Sequence, residues 1–85
     1  MKPFHVSILA QDKPVYEGEA VSLTIPAGLG SMGILADHMP YVTVVKPGPI
    51  VLKKSDGAEP VVVDNKGKGF CEILKNNVTL VLESV

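Results

Sequence analysis

The chain reads as an all-β protein, a small antiparallel β-sandwich or flattened barrel of about eight to ten short strands. Three observations predict this. Seven prolines and eight glycines break the 85 residues at intervals of roughly ten, the spacing of short strands joined by turns. The runs between them are rich in valine, isoleucine and threonine, whose branched β-carbons suit strands better than helices. Two of the breaks, Asp56-Gly57 and Lys75-Asn76-Asn77, are hairpin signals set between apolar runs.

The elements follow in order. FHVSIL (4–9) alternates, with Phe4, Val6 and Ile8 on one side. VYEGEAVSLTI (15–25) is two short strands or one long bent one, with Gly18 as a bulge. YVTVVK (41–46) stops at Pro47-Gly48-Pro49, a turn that no helix continues through. IVLKK and PVVVD flank Ser55-Asp56-Gly57-Ala58, where both Asp and Gly tolerate positive φ, and Lys53-Lys54 reads as a solvated hairpin end guarding an edge. GFCEIL and VTLVLE flank the second hairpin, its asparagines at the positions that need a left-handed backbone. In the last strand Val78, Leu80 and Leu82 share a face opposite Thr79, Val81 and Glu83. One domain, residues 1–85, is expected, without repeat or linker.

Composition narrows the function. Apolar residues make up 46% of the chain and its mean hydropathy is +0.28, too hydrophobic for disorder. The formal charge is −1, and all eight basic residues are lysine, so no field or arginine fork recruits nucleic acid. Two Phe, two Tyr and no Trp leave little surface for stacking single-stranded bases, which disfavours an oligonucleotide-binding barrel. The lone Cys71 excludes an internal disulfide. MKPFHVSILA is too short an apolar run for a signal peptide, and no run has the length of a membrane span, so a soluble, unprocessed chain is expected.

One stretch, GLGSMGILADH (28–38), carries the G-x-G-x-x-G spacing of a dinucleotide-binding loop after a strand-like run. That fingerprint needs a helix behind it and a carboxylate about twenty residues on. Here Pro40 ends the stretch after barely one turn, and Lys53-Lys54 stands where the acid belongs. The glycines instead shape a tight exposed loop approached closely by another backbone. His5, His38 and Cys71 have no zinc-like spacing. Ser31, Asp37 and His38 do not form a triad, since Asp37 and His38 are neighbours and the base needs an orienting partner behind its ring. Neither catalysis, metal nor cofactor is expected. Met32 and Met39 read as anchors for a partner.

Around this loop the sequence resembles the N-terminal sandwich domain of the epsilon subunit of F-type ATP synthases. The resemblance runs through Val15-Tyr16-Glu17-Gly18-Glu19, then from Pro26 to His38, Met39-Pro40 and Lys46-Pro47-Gly48, and resumes at Gly69-Phe70-Cys71-Glu72-Ile73 and Asn76-Asn77-Val78-Thr79. It covers essentially the whole chain in order. It implies a non-catalytic rotor subunit between the gamma subunit and the membrane-embedded c-ring, coupling ion-driven rotation to ATP synthesis. By position, Gly30, Ser31 and Met32 face the ring, and Ala10, His38, Met39 and Val42 approach gamma. The implied location is peripheral, on the cytoplasmic face of the bacterial inner membrane, reaching the membrane only through the complex. Three positions depart from the family pattern: Ser31 stands at an often acidic position, and Asp37 and Lys68 at usual glycines. The chain also departs from the family in length: it stops at Val85, as a natural short form or as the N-terminal domain of a longer chain, and in both cases is expected to lack the family's C-terminal helical hairpin and its restraint of hydrolysis. A different reading is a biotinyl- or lipoyl-type carrier, with Lys66 in Asp64-Asn65-Lys66-Gly67 posing as the modified hairpin-tip lysine.

Overall fold

The computed structural model describes residues 2–11 and 13–85. Among them nine strands form and no helix. In chain order they are β1 (Phe4–Ala10), β2 (Lys13–Ala20), β3 (Ser22–Ala27), β4 (Gly30–Ile34), β5 (Tyr41–Val45), β6 (Gly48–Lys53), β7 (Val61–Asn65), β8 (Gly69–Leu74) and β9 (Asn77–Leu82). They build a five-stranded sheet in the order β2-β1-β9-β8-β5 and a four-stranded sheet in the order β4-β3-β6-β7. The two sheets pack face to face as a sandwich.

All pairings are antiparallel except that of β1 with β9, which runs parallel from His5 opposite Asn77 to Ala10 opposite Leu82. This departs from the antiparallel expectation for a physical reason. Side-chain alternation is the same for either strand direction, so a pair formed by the two ends of the chain carries no local signal.

The core comes from the predicted alternation. Val6 and Ile8 of β1, Leu23 and Ile25 of β3, Ile50 and Leu52 of β6 and Leu80 of β9 are all at most 1% exposed. Each such side chain contributes about 1.5–3 kcal/mol on burial, which this small domain relies on in place of a disulfide. The segment 15–25 resolves into two strands. At buried Val21 the chain leaves one sheet for the other, its N–H donating to the Lys53 carbonyl at 2.8 Å.

Several local expectations are corrected. Gly18 lies in register opposite Val6, and the irregularity falls earlier, where Ile8 pairs with Tyr16 but Leu9 with Pro14, leaving Val15 as the extra residue of β2. Gly18 instead makes room for the Tyr16 ring: an added Cβ would stand 3.3 Å from the phenolic oxygen, which donates to the Glu19 carbonyl at 2.9 Å. The hairpin expected at Asp56-Gly57 forms, with β6 pairing antiparallel to β7, but its turn does not place both residues at positive φ. β6 and β7 are joined by residues 54–60, and only Gly57 takes positive φ, 76°. Lys53 ends an interior strand and guards no edge, while the Lys54 ammonium sits 5.6 Å from the centre of the Tyr16 ring. The β8–β9 hairpin does form, but its left-handed pair is Lys75 and Asn76 (φ 50° and 62°), with Asn77 already in β9.

One buried polar side chain ties the sheets together. Asn65, 2% exposed at the end of β7, donates from Nδ2 to the Lys46 carbonyl at 3.0 Å and more weakly to the Val45 carbonyl at 3.5 Å. Its Oδ1 accepts from the Gly67 N–H at 3.3 Å. It thereby joins the end of β7 in one sheet to the end of β5 in the other.

Candidate partner interface

Half of the glycine stretch is strand. Gly28 and Leu29 make a two-residue turn, with Ala27 opposite Gly30, and Gly28 takes φ 57° as the first turn position of a type II′ hairpin requires. Gly30 to Ile34 then form β4, the edge of the four-stranded sheet. The expected close approach of another backbone is not made within the chain: an added Cβ at Gly28, Gly30 or Gly33 meets nothing within 4 Å. Gly30 and Ser31 are exposed. Met32 is half-buried against the core, opposite Ile25, so it serves packing where an anchor was expected.

The second group of predicted residues follows β5, the edge of the five-stranded sheet. Met39 is 72% exposed and Val42 66%. His38 is half-buried, its Nδ1 2.8 Å from the Met39 carbonyl and its ring 6.4 Å from that of Tyr41. Ala10 is not brought to them. It lies at the level of Val45, through Leu82 and Gly69, three strands away and with its methyl turned into the core.

The loop that carries His38 and Met39 is tied down at Asp37, which takes φ 62°. Its N–H donates to Asn76 Oδ1 at 2.6 Å, and its carboxylate accepts from Asn76 Nδ2 at 3.1 Å and from Lys2 Nζ at 2.9 Å. The left-handed turn expected of aspartate is therefore kept. The Lys2 ammonium, then the Asn76 amide, hold its carboxyl below the usual carboxylate range. Asp37 is thus committed to Lys2 and Asn76 and does not orient His38, and Ser31 lies at the far end of the molecule. Among the described residues no group of three His, Cys, Asp or Glu is placed to hold a metal ion. Burial pushes the Cys71 thiol up to about 11.

The two groups lie at opposite ends of β5. At one end the Asp37–Asn76 contact holds His38 and Met39. At the other, the Lys46 N–H donates to the Pro26 carbonyl at 2.9 Å, and Pro26 pairs with Ser31. About 17 Å of strand separates the ends.

The outer face of the five-stranded sheet adds what the residue reading missed. Val44, Phe70, Val81, Leu9 and Pro14 stand side by side across all five strands as one apolar row. Val44, Phe70 and Val81 are 48%, 60% and 47% exposed and line an open groove of about 450 Å³ rimmed by Lys68 and Glu83. Alternation put Phe70 opposite Cys71 and Val81 opposite Leu80. Strand order, which no local pattern carries, made them neighbours.

Lys66 is not at a hairpin tip. It lies on the crossing from β7 in one sheet to β8 in the other, its N–H bound to the Ser84 carbonyl at 3.2 Å, so the carrier reading lacks its presented lysine.

Residues 3–85 match the ATP synthase delta/epsilon chain β-sandwich domain family. The chain is 39% identical over 80 residues to the ATP synthase epsilon chain of Dichelobacter nodosus, covering 94% of this chain and 54% of that one. To the epsilon chain of Priestia megaterium it is 37% identical over 84 residues, with 99% and 60% covered. It thus spans a little over half the length of these relatives. Among solved structures, a chain of Euglena gracilis mitochondrial ATP synthase, in an assembly described as OSCP/F1/c-ring, superposes with a TM-score of 0.81 at 22% identity, covering 91% of this chain and 48% of that one. A chain of the Tetrahymena thermophila mitochondrial ATP synthase central stalk and c-ring superposes at 0.76 and 15% identity, with 94% and 63% covered. The last two likenesses concern the fold alone. Matched by its family over nearly every residue, the chain belongs to the delta/epsilon β-sandwich family of ATP synthases.

Proposed function

We propose that this chain is a non-catalytic coupling subunit of the central stalk of an F-type ATP synthase, joining the gamma subunit to the c-ring. The observation that carries the reading is the separation of two exposed groups, the β3–β4 hairpin tip and the segment from His38 to Val42, toward opposite ends of β5 in a stiff sandwich. Ring-driven rotation, powered by protons or sodium ions, needs a spacer that resists deformation, and a core of branched side chains at native density supplies one. Family membership supports the role, as does the presence of this fold in assemblies described as central stalk and c-ring. In this arrangement Gly30, Ser31 and Met32 lie on the ring side. His38, Met39 and Val42 lie on the gamma side; Ala10, buried and at the level of Val45 three strands away, does not join them. The chain then works peripherally at the cytoplasmic face of a bacterial inner membrane.

The test is Val42→Lys. Val42 is largely exposed and sits opposite Glu72, so lysine gains an opposite charge across the strands and the isolated domain keeps its stability. Affinity for gamma should fall at least about tenfold, because a lysine ammonium would be desolvated at the contact. A destabilised domain with unchanged gamma affinity overturns the assignment of this face. Ser31→Glu, on an exposed strand residue, should alter ring contact and leave the fold intact; an unfolded variant would make that hairpin structural.

A further inference from the structure

We infer that Asp37 is the positioning residue of the gamma-side contact, and that Asn76 and Lys2 brace it so that His38 and Met39 meet their partner in a preset conformation. The inference rests on the gamma-side placement proposed above and goes beyond it in giving a role to three residues outside the proposed contact set.

Three observations carry it. The first is how little else holds the segment. Residues 35–40 carry the chain from β4 in one sheet to β5 in the other, and of their apolar side chains only that of Ala36 packs against the core. Leu35 and Met39 are 51% and 72% exposed. A segment with so few apolar contacts opens locally at little cost unless polar bonds hold it. The second is the brace itself. The Asp37 N–H donates to Asn76 Oδ1 at 2.6 Å while Asn76 Nδ2 donates to Asp37 Oδ1 at 3.1 Å, so one amide grips both the backbone and the side chain of Asp37. Lys2 Nζ spans the two carboxylate oxygens, at 2.9 and 3.2 Å. Aspartate tolerates its φ of 62° without any of these bonds, so the turn alone does not call for them. The third is the anchorage. β1 and β9 pair in parallel with His5 opposite Asn77, which brings Lys2 and the β8–β9 turn to one end of the sheet. Asn76 is fixed there, its carbonyl accepting from the His5 N–H at 2.9 Å. Asp37 is thus bound to a point that belongs to the sheet, and the next two residues, His38 and Met39, take their position from it.

Exposure decides the kind of role. The Lys2 and Asp37 side chains are 60% and 64% exposed, and a pair so open to water adds little to global stability. What the brace restricts is the freedom of the segment before a partner arrives. A contact segment that is already ordered loses less conformational entropy on binding.

The experiment measures calorimetric binding of the full chain to purified gamma subunit for wild type, Asp37→Gly, Asn76→Gly and the double variant. Melting temperature and the exchange rate of the residue 37 amide are measured on each free chain. Glycine keeps the left-handed backbone at either position and removes only the side chain. Each single variant should melt within about 5 °C of wild type. In Asn76→Gly the residue 37 amide should exchange at least about tenfold faster, and gamma affinity should fall about tenfold. Asp37→Gly, which keeps the N–H bond to Asn76, should lose about threefold. The double variant should bind no worse than Asn76→Gly, since both changes release the same brace. Unchanged gamma affinity or unchanged amide exchange in Asn76→Gly would overturn the inference and leave the rotor reading standing. So would losses that add in the double variant, which would make Asp37 and Asn76 two separate contacts with gamma. A larger fall in melting temperature would overturn it too, by making the brace a general support of the fold. Failure of the wild-type chain to bind gamma at all would overturn both.

Discussion

Replacing Asn65 with alanine tests how the two sheets are held in register. The side chain is 2% exposed and makes two bonds of ordinary length, to the Lys46 carbonyl at 3.0 Å and from the Gly67 N–H at 3.3 Å. Each contributes about 1 kcal/mol net, and a carbonyl left buried without its donor adds to the cost, so the expected loss is about 2–3 kcal/mol. For a domain of this size that lowers the melting temperature by about 10–20 °C. Urea and thermal unfolding followed by circular dichroism measure it, with the urea slope unchanged if the native fold is retained. Asn65→Asp sharpens the test. At neutral pH it loses the donor and buries a charge, so it should be worse than alanine; on acidification the protonated carboxyl regains a donor and the gap should narrow. An Asn65→Ala variant within about 0.5 kcal/mol of wild type would refute the claim that this side chain ties β7 to β5.

Further expectations concern backbone space, protons and the thiol. At Gly69, an added Cβ would lie 2.7 Å from Leu82 Cδ2 and 2.9 Å from the Val81 carbonyl, and that carbonyl belongs to the paired strand. Gly69→Ala should therefore cost roughly 1–3 kcal/mol in urea unfolding, whereas Gly33→Ala, with open space around it, should be neutral or slightly stabilising. The Asp37 carboxyl is held below its unfolded value, so its contribution is present above about pH 4 and is lost as pH falls through the folded value. Comparing wild type with Lys2→Met across that acid range should show the difference fade, and a difference that persists at pH 2 would show that charge is not its source. Cys71, raised to about 11 by burial, should resist iodoacetamide at pH 8 in the folded chain and react once urea unfolds it. Rapid labelling of the native protein would contradict the burial.

By itself, the sequence determined the class of the fold and most of its inner faces. Branched residues at alternate positions make a strand with one apolar side wherever it is placed, so Phe4, Val6 and Ile8, or Val78, Leu80 and Leu82, had only one face to bury. The proline and glycine breaks and the order of family-like residues were equally local and equally legible. Tertiary structure decided everything that depends on which strand lies beside which. The parallel pairing of β1 with β9 joins residues more than seventy positions apart, and only that pairing aligns Leu9, Val81, Phe70 and Val44 into one row. It also decided that the glycine stretch is an open edge strand and that Ala10 faces inward, away from His38 and Met39. Side-chain type fixes how much a residue gains by burial; its place in the sheet order determines whether it is buried, paired or left free for another protein.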